Sequence, residues 1–166
     1  FRDMCHGQGT LTYGEGEWEG DEYTGEWKED MFHGQGTYTW SDGAQYEGNW
    51  ENGVQSGQGF MDWGDGNKYV GGWKDDNRHG YGVMTWSGGS QYEGSWENDS
   101  KHGQGTYTWS NGDKYIGEWK NGKQDGEGTE FNKKGKAIYT GQWTNGSIIT
   151  KKNKRKTVKI SRSTND

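Results

Sequence analysis

The chain has 166 residues, of which 32 are Gly and none is Pro; only 25% are hydrophobic, yet 11 Trp, 10 Tyr and 4 Phe are present. Leu, Ile, Val and Phe number fourteen, about 8% of the chain, far below the ~20% under which composition points to disorder; this excludes an ordinary two-layer globule with an aliphatic core, a transmembrane run of ~18 apolar residues and proline-dependent collagen. The net charge of −6 divides unevenly, with seven Lys/Arg against one acid in residues 147–166 and twelve basic against twenty-four acidic side chains in residues 1–146. An acidic body is a poor match for nucleic acid or an anionic membrane surface. Disorder is opposed by the 15% aromatic content, because disordered segments are poor in rings.

In chain order, "FRDMCHGQGTLTY" parallels "KEDMFHGQGTYTW" of residues 28–40, so the chain opens inside a repeat and its first strand is expected upstream. "GEGEWEG" (14–20) inserts four residues relative to later repeats and reads as a lengthened turn carrying Trp18. Then Tyr-x-Gly-x-Trp recurs at Tyr23/Trp27, Tyr46/Trp50, Tyr69/Trp73, Tyr92/Trp96, Tyr115/Trp119 and Tyr139/Trp143, at spacings of 23, 23, 23, 23 and 24. Between these lies Gly-x-Gly-x-(Tyr/Met)-x-Trp, ending at Trp40, Trp63, Trp86 and Trp109. A fixed period of this length marks a repeat architecture.

Both strings alternate with a period of two and are rich in Tyr, Trp and Thr, which predicts strands with aromatics and glycines on one face and polar residues on the other. "KEDMFHG" and "KDDNRHG" are read as the turns within a repeat, and "SDG", "GDG", "SGG" and "SNG" as the turns between repeats, where Gly supplies positive φ. A glycine inside a strand marks a close approach, here by a neighbouring Tyr or Trp ring lying across the sheet. The rings are expected to stack from hairpin to hairpin. One hairpin is marginal in water, so the units must support one another. The predicted fold is all-β, an elongated single-layer antiparallel sheet of tandem hairpins, growing ~10 Å per repeat to about 60 Å.

The pattern weakens towards its end. Glu130 and Asn132 replace the usual Tyr/Met and Trp, Phe131 has the opposite parity, and the spacing lengthens, so a bulge or a fraying end is expected there. Ile148 and Ile149 are placed as an edge cap, and the lysines that follow would discourage edge pairing. The domain reading is a repeat array over 1–146 (a partial unit 1–22, repeats starting at 23, 46, 69, 92 and 115, and a partial unit 139–146), followed by a basic tail over 147–166.

No catalytic, cofactor or metal constellation emerges. His6, His33, His79 and His102 share one repeat position, but ligands one repeat apart stand ~10 Å from each other, too far for one ion; they are read as turn residues. Asp30, Asp42, Asp65, Asp75, Asp76 and Asp99 fall at turns without a dense ligand loop. Gly-x-Gly is not followed by a helix, so it is no phosphate loop. Cys5 is the only cysteine, which gives no disulfide framework and fits a reducing, cytoplasmic setting.

"YEGNWENG", "HGQGTYTWSDG" and "YIGEWKNGK" resemble MORN (membrane occupation and recognition nexus) repeats over roughly residues 1–146. The resemblance implies an elongated β-ribbon with an aromatic groove, serving as a scaffold or binding module in a cytoskeletal, ciliary or membrane-apposed assembly. The expected groove is Tyr46, Trp50, Trp63, Tyr69, Trp73, Trp86, Tyr92, Trp96, Trp109, Tyr115 and Trp119, taking a helix or extended peptide of a protein partner, since an exposed aromatic surface marks an interaction site. A second patch on the opposite face comprises Phe60, Val70, Tyr81 and Val83, with β propensity alone as the competing explanation. Lys151, Lys152, Lys154, Arg155 and Lys156 form a flexible linker, an anionic-lipid or acidic-partner contact, a nuclear signal or a phosphorylation-controlled segment. No nucleic acid is expected as a partner, and self-association would use the open sheet ends. The alternative function is a regulatory or phospholipid-targeting module of a larger enzyme, such as a phosphoinositide kinase or a methyltransferase, with its catalytic domain outside this chain.

Overall fold

The computed structural model describes residues 4–149. It is all-β: β1 (Gly7–Thr12), β2 (Glu22–Lys28), β3 (Met31–Thr39), β4 (Gln45–Glu51), β5 (Val54–Asp62), β6 (Lys68–Lys74), β7 (Asn77–Thr85), β8 (Gln91–Glu97), β9 (Ser100–Thr108), β10 (Lys114–Lys120), β11 (Lys123–Phe131), β12 (Ala137–Thr144) and β13 (Ser147–Ile148). Each strand pairs antiparallel with its neighbours in chain order, forming one open 13-stranded sheet. Pairing runs through Ile148 by way of Trp143↔Ile148 and Thr144↔Ser147, two residues into the segment that the sequence reading placed with the tail.

The turns inside the repeats are shorter than expected. The strands are joined by two residues, Glu29-Asp30, Asn52-Gly53, Asp75-Asp76, Asn98-Asp99, Asn121-Gly122 and Asn145-Gly146, with positive φ at both. That is the type I′ geometry whose twist matches the flanking strands, favoured by Asn-Gly. Residues read as turn, such as "MFHG", therefore belong to strand β3. His33, His79 and His102 likewise lie in strands, which corrects their assignment to turns. The extra length is absorbed by a bulge: Gly25 pairs Gly36 and Glu26 pairs His33, so Gly34 and Gln35 are skipped in the β2–β3 ladder and pair only with β4. Gly34, Gly57, Gly80 and Gly103 take positive φ at these bulges, as a bulge residue in the left-handed region does.

Between repeats, Gly43, Gly66, Gly89, Gly112 and Gly135 carry the positive φ expected of the "SDG"-type turns. The four-residue insertion is a loop closed by Tyr13 N–H to Asp21 O and Gly20 N–H to Tyr13 O, with Trp18 exposed. A register shift falls between Glu130 and Phe131 in the β11–β12 ladder, where the sequence pattern weakens.

The core lies on one face. Tyr23, Tyr46, Tyr69, Tyr92 and Tyr115 are fully buried. Each lays its ring across a Gly–Gly pair: a Cβ on Gly36 would stand 2.6 Å from Tyr23 Cζ, and one on Gly25 2.5 Å from Gly36 Cα. Glycine thus makes the shelf on which the tyrosine rests. Each hydroxyl donates to the carbonyl three residues on, as in Tyr46 to Asn49 O (3.0 Å) and Tyr92 to Ser95 O (2.9 Å), so these five buried hydroxyls are satisfied. Burial raises these phenols, with Tyr23 and Tyr115 pushed up to about 12.

The rings do not stack along the ribbon as expected. Trp50 meets Tyr46 at 5.1 Å and Tyr23 at 5.5 Å, both nearly perpendicular, and Trp73, Trp96, Trp119 and Trp143 repeat the arrangement between successive tyrosines. With each tyrosine flat on its glycines, the tryptophans can only stand upright between them. Edge-on pairs of this kind contribute ~0.5–1.5 kcal/mol each beyond their burial. Tyr23 and Phe32, at 3.8 Å and 13°, form a stacked pair.

Candidate binding face

The tryptophans divide into two sets by register. Trp27, Trp50, Trp73, Trp96 and Trp119 send their indole N–H back over the preceding strand to a glycine carbonyl: Gly9 O, Gly36 O, Gly59 O, Gly82 O and Gly105 O at 3.1–3.3 Å. The last four of these are buried, as are Tyr46, Tyr69, Tyr92 and Tyr115. Eight of the eleven residues expected to line the groove are therefore interior. They are closed over by their neighbours' rings and by a column of side chains from the second strand of each hairpin.

Trp63, Trp86 and Trp109 are different. With Trp40, they follow the last residue of a strand and remain half-buried against the core. Each opens the turn between repeats; Trp86 N–H bonds Ser90 O and Trp109 N–H bonds Asp113 O, both at 2.9 Å. They form a line of partly open indoles, one per repeat, along one side of the aromatic face. Trp40 and Trp63 border a recess with Met61, Trp73, Asp76, Arg78 and Asp99. Trp109 borders another of about 280 Å³ with Lys101, Tyr107, Trp119 and Lys123.

The covering column is Phe32, Gln55, Arg78, Lys101 and Gln124, each two residues past a type I′ turn. Arg78 holds its guanidinium 4.5 Å from the Trp96 ring and donates from Nε to Asp99 Oδ1 at 2.7 Å. Lys101 Nζ stands 4.3 Å from the Trp119 ring and 4.6 Å from that of Tyr107, with Tyr92 and Trp86 at 5.7 and 5.8 Å. These are cation–π distances. Desolvation lowers the Lys101 ammonium to about 8. Sequence reasoning missed both cations because it placed their segment in turns; the signal available was their constant offset from the Asp75-Asp76 and Asn98-Asp99 dipeptides.

On the opposite face, Phe60 pairs Val70 and Val70 pairs Val83, so the three lie side by side as the alternation implied. Val70 is 54% and Tyr81 60% exposed, and Tyr81 donates to Glu93 Oε1 at 2.7 Å. Ile116, 47% exposed, lies further along the same row through Glu93 and Thr106 and was missed. The Nδ1 atoms of His33, His79 and His102 are buried without a hydrogen bond, with Glu97 Oε2 a charge neighbour 3.2 Å from that of His102. Among the described residues, no three His, Cys, Asp or Glu side chains gather as a metal-binding group. Lys151, Lys152, Lys154, Arg155 and Lys156 lie outside the described residues.

The MORN repeat description matches residues 1–18, 23–45, 46–68, 69–91, 92–114, 115–136 and 139–147. Repeats of this kind are commonly protein- or membrane-interaction modules and are generally non-catalytic. No curated protein matches the chain. Seven matched segments in register with the hairpins, over most of the length, show that the chain belongs to the MORN-repeat family.

Proposed function

We propose that the protein is a non-catalytic scaffold that binds a helix or extended peptide of a protein partner along its aromatic face, in a cytoplasmic assembly of the cytoskeletal, ciliary or membrane-apposed kind. The observation carrying this reading is the line of half-buried Trp40, Trp63, Trp86 and Trp109. Trp50, Trp73, Trp96 and Trp119 are buried in the core, whereas these four indoles pack against it and stay partly open. Tryptophan is the favoured anchor of an interface, and it carries binding energy where a pocket flanks it. The contact therefore centres on Trp63, Trp86 and Trp109, and the buried tyrosines act by holding these in line. A rigid row repeated once per hairpin suits a partner that is itself elongated.

A photo-crosslinking residue in place of Trp86 or Trp109, compared with one at Thr106 or Ile116 on the other face, tests this. Crosslinks to a single protein from the tryptophan positions, reproduced with that protein purified, are the expected result. Trp63→Ala and Trp86→Ala should then weaken binding by roughly thirtyfold each, the ~2 kcal/mol of an interface hot spot. Crosslinks from Thr106 and Ile116 alone would transfer the role to the Val70 face.

A further inference from the structure

The covering column is tied to the turn of the next repeat. The second turn residue donates its N–H to the column carbonyl: Gly53 to Phe32 O, Asp76 to Gln55 O, Asp99 to Arg78 O, Gly122 to Lys101 O and Gly146 to Gln124 O, at 2.9–3.2 Å. Whatever side chain the turn carries therefore stands beside the column side chain. At Arg78 the turn supplies a carboxylate: Asp99 Oδ1 accepts from Arg78 N at 3.0 Å and Nε at 2.7 Å, and Asp99 O from Nη2 at 3.2 Å. At Lys101 the same turn position is Gly122, which has no side chain to offer. Among the described residues the Lys101 ammonium meets no carboxylate, only rings.

A half-buried cation with no counter-charge is costly, because partial desolvation is not repaid. The charge around it also changes sign along the ribbon. Residues 1–99 carry five basic against nineteen acidic side chains, whereas residues 100–149 carry seven basic against five acidic. Lys123 lines the same recess, beside Trp109 and Trp119.

We propose that the recess of Lys101, Tyr107, Trp109, Trp119 and Lys123 is a carboxylate seat, taking an Asp or Glu side chain of the bound peptide into the place that Asp99 fills beside Arg78. The inference rests on partner binding along the aromatic face. It adds that the partner is acidic where it crosses the fourth and fifth full repeats. The lowered Lys101 ammonium, at about 8, agrees with a charge awaiting its partner, since an opposite charge would raise it again.

The test uses the full chain and two probes, an acetylated oligoglutamate and an oligoglutamine of equal length, titrated while the indole N–H signals of Trp109 and Trp119 are followed by NMR. Gly122→Asp supplies the missing carboxylate in cis. It is accommodated, because Asp76 and Asp99 hold φ of 63° at the equivalent position and no atom lies within 4 Å of a Cβ on Gly122. Lys101→Gln removes the cation and copies Gln55 and Gln124. Oligoglutamate should bind the parent, and both variants should lose roughly tenfold or more in affinity, as for a charge-assisted hydrogen bond. Asn121→Asp adds the same charge one residue away, where Asp75 sits in another repeat, and should change affinity by no more than about twofold. The seat is overturned if Gly122→Asp binds like the parent, if Asn121→Asp is equally damaging, or if the two probes do not differ. Such a result, with crosslinks still confined to Trp86 and Trp109, would remove the seat and leave the aromatic-face reading standing.

Discussion

At the scale of residues, the fold turns on the contact between a tyrosine and the two glycines beneath it. The pairing of aromatics with glycine on one face was readable from the alternation in Tyr-x-Gly-x-Trp, including its cause, because a strand glycine implies that something lies against it. What could not be read was the depth of burial. Tyr69 and Trp63 look alike as aromatic positions, yet Tyr69 is fully buried while Trp63 is half-buried, and only the register of the ring contacts separates them. The glycine shelf gives a direct prediction. A Cβ on Gly59 would stand 2.5 Å from Tyr46 Cζ, whereas one on Gly88 meets nothing within 4 Å and takes no positive φ. Gly59→Ala should lower stability by about 1–3 kcal/mol, the cost of overpacking a filled core, and Gly88→Ala should be neutral; chemical denaturation of both checks this.

At the scale of elements, the hairpins are tighter than the sequence pattern suggested. Seven-residue segments such as "KEDMFHG" looked like loops because they break the alternation. The break comes instead from a bulge at Gly34, Gly57, Gly80 and Gly103, and the reversal itself takes only two residues. Asn121-Gly122 and Asn145-Gly146 carried the hairpin signal, but Glu29-Asp30 and Asp75-Asp76 disguised it. This is also why Arg78 and Lys101, two residues past their turns, were not recognised as part of the ring face. Glu29 holds φ of 52° with a side chain that disfavours it, where four equivalent turns use Asn (Asn52, Asn98, Asn121 and Asn145). Glu29→Asn should therefore raise the midpoint of thermal unfolding, worth about 0.5–1 kcal/mol.

At the scale of the whole molecule, the ribbon is held by nearest neighbours. Each upright tryptophan touches its own tyrosine and the preceding one, as Trp96 does with Tyr92 and Tyr69, and each turn is tied to the hairpin before it. Stability is then carried from repeat to repeat. The fold class and its repeat were legible because a fixed 23-residue spacing leaves few alternatives. The proposed binding surface was legible only in part, because tryptophan occurs both as buried core and as the half-buried row.

The indole N–H groups report directly on the division between core and edge tryptophans. Trp50, Trp73, Trp96 and Trp119 donate to glycine carbonyls in the interior, whereas Trp63, Trp86 and Trp109 are half-buried at the edge. Hydrogen exchange of the indole N–H signals by NMR, with and without the crosslinked partner, should show the first set slow throughout and the second set fast until the partner binds, then protected. Equal protection of both sets in the free protein, or no change in Trp63, Trp86 and Trp109 on binding, would contradict it.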